Sequence, residues 1–218
     1  MANLDDIMER ASEALARMDY LTAESLCLEA LQAARAAREW SYYARILLPL
    51  QEARRQRRMI AAEGVIRLGT ARLSRPADDW LDSIDTGCLV VTHPHTAGDA
   101  RTVEQAARRQ RRYIEVLFAD NAPTAETWTI RAHAGPDVRC DVSAPPATWQ
   151  DTWLPLGEQP EVEQEHDSPR EDAVAFTPAD WFIDATEALG DAALAQVAAE
   201  PGEVARIEQL EAMLQVVT

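Results

Sequence analysis

Apolar positions in the first sixty residues recur at helical spacing. Ile7, Ala11, Ala14, Leu15 and Met18 fall at i, i+4, i+7, i+8 and i+11, which gives a helix with one apolar face. Asn3 is placed to cap it, and Asp5 and Asp6 suit the positive end of its dipole. After "MDY" the spacing returns in Ala23, Leu26, Cys27, Ala30 and Leu31, predicting a second helix from about Leu21. A third is expected from about Trp40 to Ala62, broken or kinked at Pro49 and stopped at Gly64.

From Gly64 the pattern shortens. "GVIRL", "CLVVT", "YIEVLFA", "WTIRAH" and "VRCDVSA" are β-branched or aromatic runs set off by Gly, Pro, Asp and Asn, the signature of strands. "GDARTVEQAARRQRR" between the second and third reads as a helix opened by Asp99, so strand, helix and strand form a crossover with parallel strands. "CLVVT" shows no alternation, as expected of a strand buried on both faces. The double proline at 145–146 is the expected end of this part.

The acidic stretch "GEQPEVEQEHDSPRED", Gly157 to Asp172, has almost no large apolar side chain and reads as a solvated linker. After it, "FTPADW" opens another helix, with Thr177 as cap and Pro178 at its first position. Pro201 and Gly202 divide that segment, and Val204, Ile207, Leu210 and Leu214 give its second part an apolar face. The expected fold class is mixed α+β or α/β. Its parts are a helical region over 1–63, a small α/β domain over 64–150, an acidic linker over 151–176 and a C-terminal helical hairpin over 177–218.

"MDYLTAESLCLEAL", Met18 to Leu31, resembles the inter-helix turn and second helix of a tetratricopeptide repeat. Asp19, Tyr20, Ala23, Ala30 and Leu31 match the family's pattern, while Met18 stands where the family has glycine and Cys27 where it has an aromatic ring. The resemblance covers one hairpin. It implies antiparallel helices that serve protein–protein interaction.

Composition narrows the chemistry. The chain has 21 basic and 37 acidic residues, net −16, and every base is arginine. Without lysine there is no Schiff-base, phosphate-loop or general-base lysine. Residues 1–120 carry 17 Arg against 18 acids, and residues 121–218 carry 4 against 19, so nearly all the excess lies in the second half. That balance argues against a nucleic-acid partner. No apolar run approaches the ~20 residues of a membrane-spanning helix, and the acidic start is unlike a secretory signal, so a cytoplasmic location is expected. Cys27, Cys88 and Cys140 are too scattered for a disulfide framework and read as buried apolar residues.

The candidate sites are few. "THPHTAGDAR" leads from a strand into a helix, where free N–H groups favour anions; Thr92, Thr96, Gly98 and Arg101 are its candidate ligand residues. His93 and His95, with Cys88, His133 or Cys140, lack metal-site spacing, so no metal and no cofactor are expected. No Gly-x-Ser-x-Gly elbow or activated thiol is present, and an enzyme is not expected. "QEARRQRRMI" (51–60) and "QAARRQRRYI" (105–114) share eight of ten letters, but the tail of the second reads as strand, so the two are expected in different contexts. Arg54, Arg55 and Arg58 are expected either to pair with acids at 161–172 or in the C-terminal helices, or to form a docking surface with Trp149 and Trp153. The leading expectation is a non-catalytic adaptor- or scaffold-like protein with an unidentified protein partner. The alternative is a small-anion or nucleotide binding module using loop 92–101.

Overall fold

The computed structural model describes residues 4–74, 78–82, 84–120, 126–164, 174–198 and 213. The chain divides into two compact units, Met1–Ile60 and Ala61–Thr218. The mixed α+β class expected from the sequence is the one observed.

In the first unit α1 (Leu4–Ala16) and α2 (Tyr20–Ala37) form an antiparallel hairpin, followed by α3 (Trp40–Ala62). Small residues let the helices approach: Ala14 of α1, Ala23 of α2 and Ala53 of α3 touch, and all three are fully buried. Pro49 lies inside α3, which continues through it. Proline cannot donate to the Arg45 carbonyl, so one rung of the helical ladder is missing there.

Both ends of α2 are set by side-chain and backbone caps. Asp19 accepts a hydrogen bond from the Thr22 N–H at 3.2 Å. Before it, Met18 sits at φ 59°, with the Asp19 N–H on the Ala14 carbonyl and the Met18 N–H on the Leu15 carbonyl, both at 2.9 Å. That is a Schellman turn, which normally ends on glycine. Met18 therefore occupies the left-handed conformation usual for glycine in such a turn. Arg38 closes α2 in the same way at φ 57°, with the Glu39 N–H on the Ala34 carbonyl. A side chain in this region costs about 1–2 kcal/mol, partly recovered through the lower entropy of the unfolded chain. Met18→Gly and Arg38→Gly are each expected to raise stability by about 0.5–1 kcal/mol. Thermal melting of the single variants checks this, and a lowered melting temperature for both would contradict it.

The second unit is built on a five-stranded sheet, β1 (Val65–Leu68), β2 (Thr86–Thr92), β3 (Tyr113–Ala119), β4 (Thr127–Arg131) and β5 (Arg139–Ser143), in that spatial order. β1, β2 and β3 are parallel, whereas β4 and β5 are antiparallel to their neighbours. A short α4 (Asp78–Leu81) and α5 (Ala97–Arg109) supply the two crossovers. One sheet face, with Leu89, Val91, Val116 and Phe118, packs on Leu81, Val103 and Ala107 of these helices. The other, with Ile66, Val90, Leu117 and Ile130, packs on Trp181, Phe182 and Leu189 of α6 (Pro178–Ala198). Burial on both faces explains the unbroken apolar runs of β2 and β3.

Several expected boundaries shift. α5 is opened by Thr96 rather than Asp99: Thr96 and Asp99 form a reciprocal capping box, with Asp99 at the third helical position. Thr177 caps α6 with Asp180 in the same manner. The limits expected at 150 and 176 fall inside one unit. Leu154 exchanges backbone hydrogen bonds with Ile66 at 2.9 Å in each direction, and Trp149 lies in the core. Within the segment expected to be a linker, β6 (Val162–Gln164) pairs antiparallel with β7 (Val174–Phe176). Residues 150–154 bond through their backbone to the β1 edge, and residues 165–173 of the expected acidic linker lie outside the described residues. The second helix of the expected C-terminal hairpin lies outside the described residues, apart from Met213, which is buried.

Candidate functional site

The loop singled out for anion binding is occupied by its own side chains. The Thr92 side chain is fully buried, its hydroxyl accepting the Thr70 N–H at 2.9 Å. The Thr96 N–H donates to Asp99 Oδ2 at 2.7 Å, and the Thr96 hydroxyl bonds the same oxygen at 2.8 Å. A carboxylate already sits where an anion would enter the helix N-terminus. A Cβ on Gly98 would meet only Thr96 Oγ1 at 3.4 Å, so no backbone cradle requires glycine there. Arg101 is exposed on α5. The sequential order β1–β2–β3 also lacks the reversal of strand order at which open sheets form their ligand crevice.

The histidines and cysteines are dispersed. His95 Nε2 lies 3.2 Å from the Thr70 carbonyl and 3.0 Å from that of Leu73, with its ring edge-on to Trp80. His93 is exposed. His133 lies 3.3 Å from Glu104. Burial alone would raise the Glu104 carboxyl, but the His133 hydrogen bond and the Arg108 charge outweigh it and hold it at about 2. Among the described residues no group of three or more His, Cys, Asp or Glu is placed to hold a metal ion. Burial pushes the Cys27 and Cys140 thiols up to about 11 and Cys88 well above its ordinary value, which works against thiolate chemistry.

The proposed docking residues separate. Arg54 is 6 % exposed, and its Nε lies 2.9 Å from Glu24 Oε1. Arg57, which the sequence reading left out, reaches Glu24 Oε2 at 3.1 Å and is 2 % exposed. One carboxylate of α2 is thus shared by two guanidiniums of α3. Arg54 and Arg57 meet acid within their own chain at Glu24, and residues 165–172 of the other expected partner lie outside the described residues. Arg55 is exposed and pairs one turn away with Glu52 at 3.0 Å, and Arg58 is half-buried. Trp149 is fully buried, stacked on Phe176, and Trp153 is half-buried with its ring 4.8 Å from the Arg67 guanidinium. Neither Arg54 nor Trp149 can contribute to an outer surface.

A concave site absent from the sequence reading lies between α1 and α3. Asp5, Met8, Glu9 and Ser12 of α1 face Tyr42, Arg45, Ile46 and Pro49 of α3 across a groove of ≈ 390 Å³. The Tyr42 hydroxyl donates to Asp5 Oδ1 at 2.6 Å, a bond that holds it above its ordinary pKa and keeps it a donor. The Arg45 guanidinium lies 5.3 Å from the centre of the Tyr42 ring. Ile46 is buried at the base, and the rim carries carboxylates, hydroxyls and one guanidinium. Such a groove suits a peptide through hydrogen bonds, since most of its accessible lining is polar. Its residues are paired by packing of helices 1 and 3, not by any spacing in the chain. Comparison with protein-family models, curated proteins and solved structures finds no match for this chain.

Proposed function

We propose that the chain is a non-catalytic protein–protein interaction protein, adaptor- or scaffold-like, whose helical unit holds a segment of its partner in the α1–α3 groove. The observation that carries this is the groove itself, a mainly polar concavity lined by Asp5, Glu9, Ser12, Tyr42 and Arg45. Two further features support it. The α1–α2 hairpin carries the tetratricopeptide-like residues Asp19, Tyr20, Ala23, Ala30 and Leu31, and Met18, at the position of that family's glycine, is left-handed at φ 59°. A cytoplasmic setting fits three unpaired cysteines, and no described helix is long and apolar enough to cross a membrane.

The test pairs the wild-type chain with a Tyr42→Ala, Arg45→Glu variant in pulldowns from the native host. Arg45 is exposed and Tyr42 half-buried, so the melting temperature of the variant is measured beside that of the wild type and the comparison is made where both are folded. A partner held in the groove should be recovered at least about tenfold less by the variant, the scale of a lost interface anchor. Recovery of the same proteins by both chains, or of none reproducibly by either, would overturn the reading.

A further inference from the structure

The sheet of the second unit has one edge covered and, among the described residues, one open. Beside β1, residues 150–154 add backbone hydrogen bonds, including the Asp151 N–H on the Leu68 carbonyl at 3.0 Å. β5 lies at the other edge. Its pairing with β4 fixes which groups point outward. The Ala132 N–H bonds the Val138 carbonyl at 3.0 Å and the Ala144 N–H bonds the Glu126 carbonyl at 2.9 Å, so the even-numbered residues face β4. The N–H and C=O groups of Arg139, Asp141 and Ser143 therefore face away from the sheet. The Ser143 carbonyl accepts the Trp181 indole N–H at 2.9 Å. The others have no backbone partner among the described residues. Natural sheets usually blunt such an edge.

Beside this edge lies a cleft of ≈ 450 Å³ whose walls include Val142, Ala144, Trp181 and Asp184, with Val162 and Phe176 of the β6–β7 ribbon. Its walls are mostly apolar, and among the described residues Asp184 is the only charged one that lines it. α6 carries Asp180, Asp184, Glu187 and Asp191 and no basic residue. Asp141 is exposed on β5, whereas the Arg139 guanidinium is held by Asp137 at 2.7 Å. Partial burial and then the charges of Glu187 and Asp180 raise the Asp184 carboxyl, a strain that a neighbouring cation would relieve. The edge supplies backbone bonds, the cleft supplies apolar surface, and the field around both is negative.

We propose that the β5 edge and this cleft bind an extended, basic segment of a partner protein, which adds as a sixth strand beside β5. The side chains of an added strand alternate between faces. Those on the α6 side enter the cleft beside Val142, Trp181 and Asp184, and those on the other side carry Lys or Arg towards Asp141. This is strand addition, in which main-chain bonds give affinity and alternate pockets give selectivity. A second copy of this chain is a poorer occupant, since each copy carries a net charge of −16. The site lies on the second unit and stands independently of the helical groove.

The experiment uses the full chain and two probes, an acetylated nonapeptide of alternating Lys and Val and its Glu–Val counterpart. The Lys–Val peptide is expected to bind at least about tenfold more tightly than the Glu–Val one, with the difference shrinking as salt rises. In residue-resolved amide exchange it should slow Arg139, Asp141 and Ser143 by at least about tenfold, a pattern specific to strand addition. Ser143→Pro removes one outward N–H without breaking the β4 ladder and should weaken binding by roughly tenfold. If that variant loses its melting transition, Asp141→Asn replaces it, with a several-fold weaker Kd expected. The proposal is overturned by no binding, by equal binding of both peptides, or by binding without protection of those three amides. Protection that grows with protein concentration before any peptide is added would assign the edge to a second copy and would also overturn it.

Discussion

Glu24→Ala is expected to destabilise the helical unit by about 3–5 kcal/mol, the scale on which removing one member of a buried charge group acts. Glu24 is 1 % exposed, Arg54 6 % and Arg57 2 %. Its two carboxylate oxygens are divided between Arg54 Nε and Arg57 Nη1, at 2.9 and 3.1 Å. Taking the carboxylate away leaves two guanidiniums close together in a site that water barely reaches, so their mutual repulsion adds to the lost attraction. The loss should be read from denaturant unfolding followed by far-UV circular dichroism, where the three helices of the first unit contribute strongly. A second variant gives the sign of the whole cluster. Glu24→Leu with Arg54→Met and Arg57→Leu replaces the three charges by apolar groups of similar length. It is expected to recover most of the lost stability or to exceed the wild type by about 1–4 kcal/mol. A loss below about 1 kcal/mol for Glu24→Ala would mean that the arginines relax outward and that the cluster does not hold α2 on α3.

This cluster also shows how far the sequence could be read. The two arginine-rich decapeptides share letters, but only the first lies wholly on a helix. Gln51–Ile60 sits inside α3, where Arg54 and Arg57 are three apart and so share a face. Gln105–Arg109 ends α5, and Tyr113–Ile114 is already in β3. Arg111 makes the turn at φ 56°, and the Arg112 guanidinium bonds the carbonyls of Leu81 and Ile84. The switch from helix to strand was legible in "YIEVLFA", because β-branched and aromatic runs carry a local preference. The partner of Arg54 and Arg57 was not, because Glu24 lies 30 residues from Arg54 and nothing local marks it as buried.

The five strands of the main sheet were legible for the same local reason, and β6 and β7 were not, since three-residue strands show no period. Thr96 and Asp99 stood at capping-box spacing, so the closure of loop 92–101 was written in the sequence, although Asp replaces the more common Glu. Trp149 illustrates the opposite limit. After two prolines and amid polar neighbours it resembles an exposed anchor, yet tertiary packing buries it completely. The α1–α3 groove was illegible because Asp5, Tyr42 and Arg45 meet only through the crossing of two helices. The open edge of β5 is likewise a property of strand order rather than of any residue.

Gly87→Ala is expected to cost the second unit about 3 kcal/mol, the upper end for forcing an extra group into a packed interior. Gly87 pairs with Val65 where β1 meets β2. An added Cβ would run into the Val65 carbonyl oxygen, and one added at Gly64 would run into the Thr86 carbonyl oxygen. The two glycines thus let the starts of β1 and β2 approach each other from both sides. The obstructing atoms are backbone, so no side-chain rotation can make room. The strands would have to part, which weakens the parallel ladder from Val65 to Leu68 and the contacts of Ile66 and Leu68 with the core. For a unit of this size the loss corresponds to a fall of roughly 6–12 °C in melting temperature. Gly157→Ala supplies the control. Gly157 has φ +89° but nothing within 4 Å of an added Cβ, so only backbone strain of about 1–2 kcal/mol is expected. Gly64→Ala should behave like Gly87→Ala because it fails for the same reason from the other strand. If Gly87→Ala melts no lower than Gly157→Ala, the close approach of β1 and β2 is not what fixes glycine at these positions.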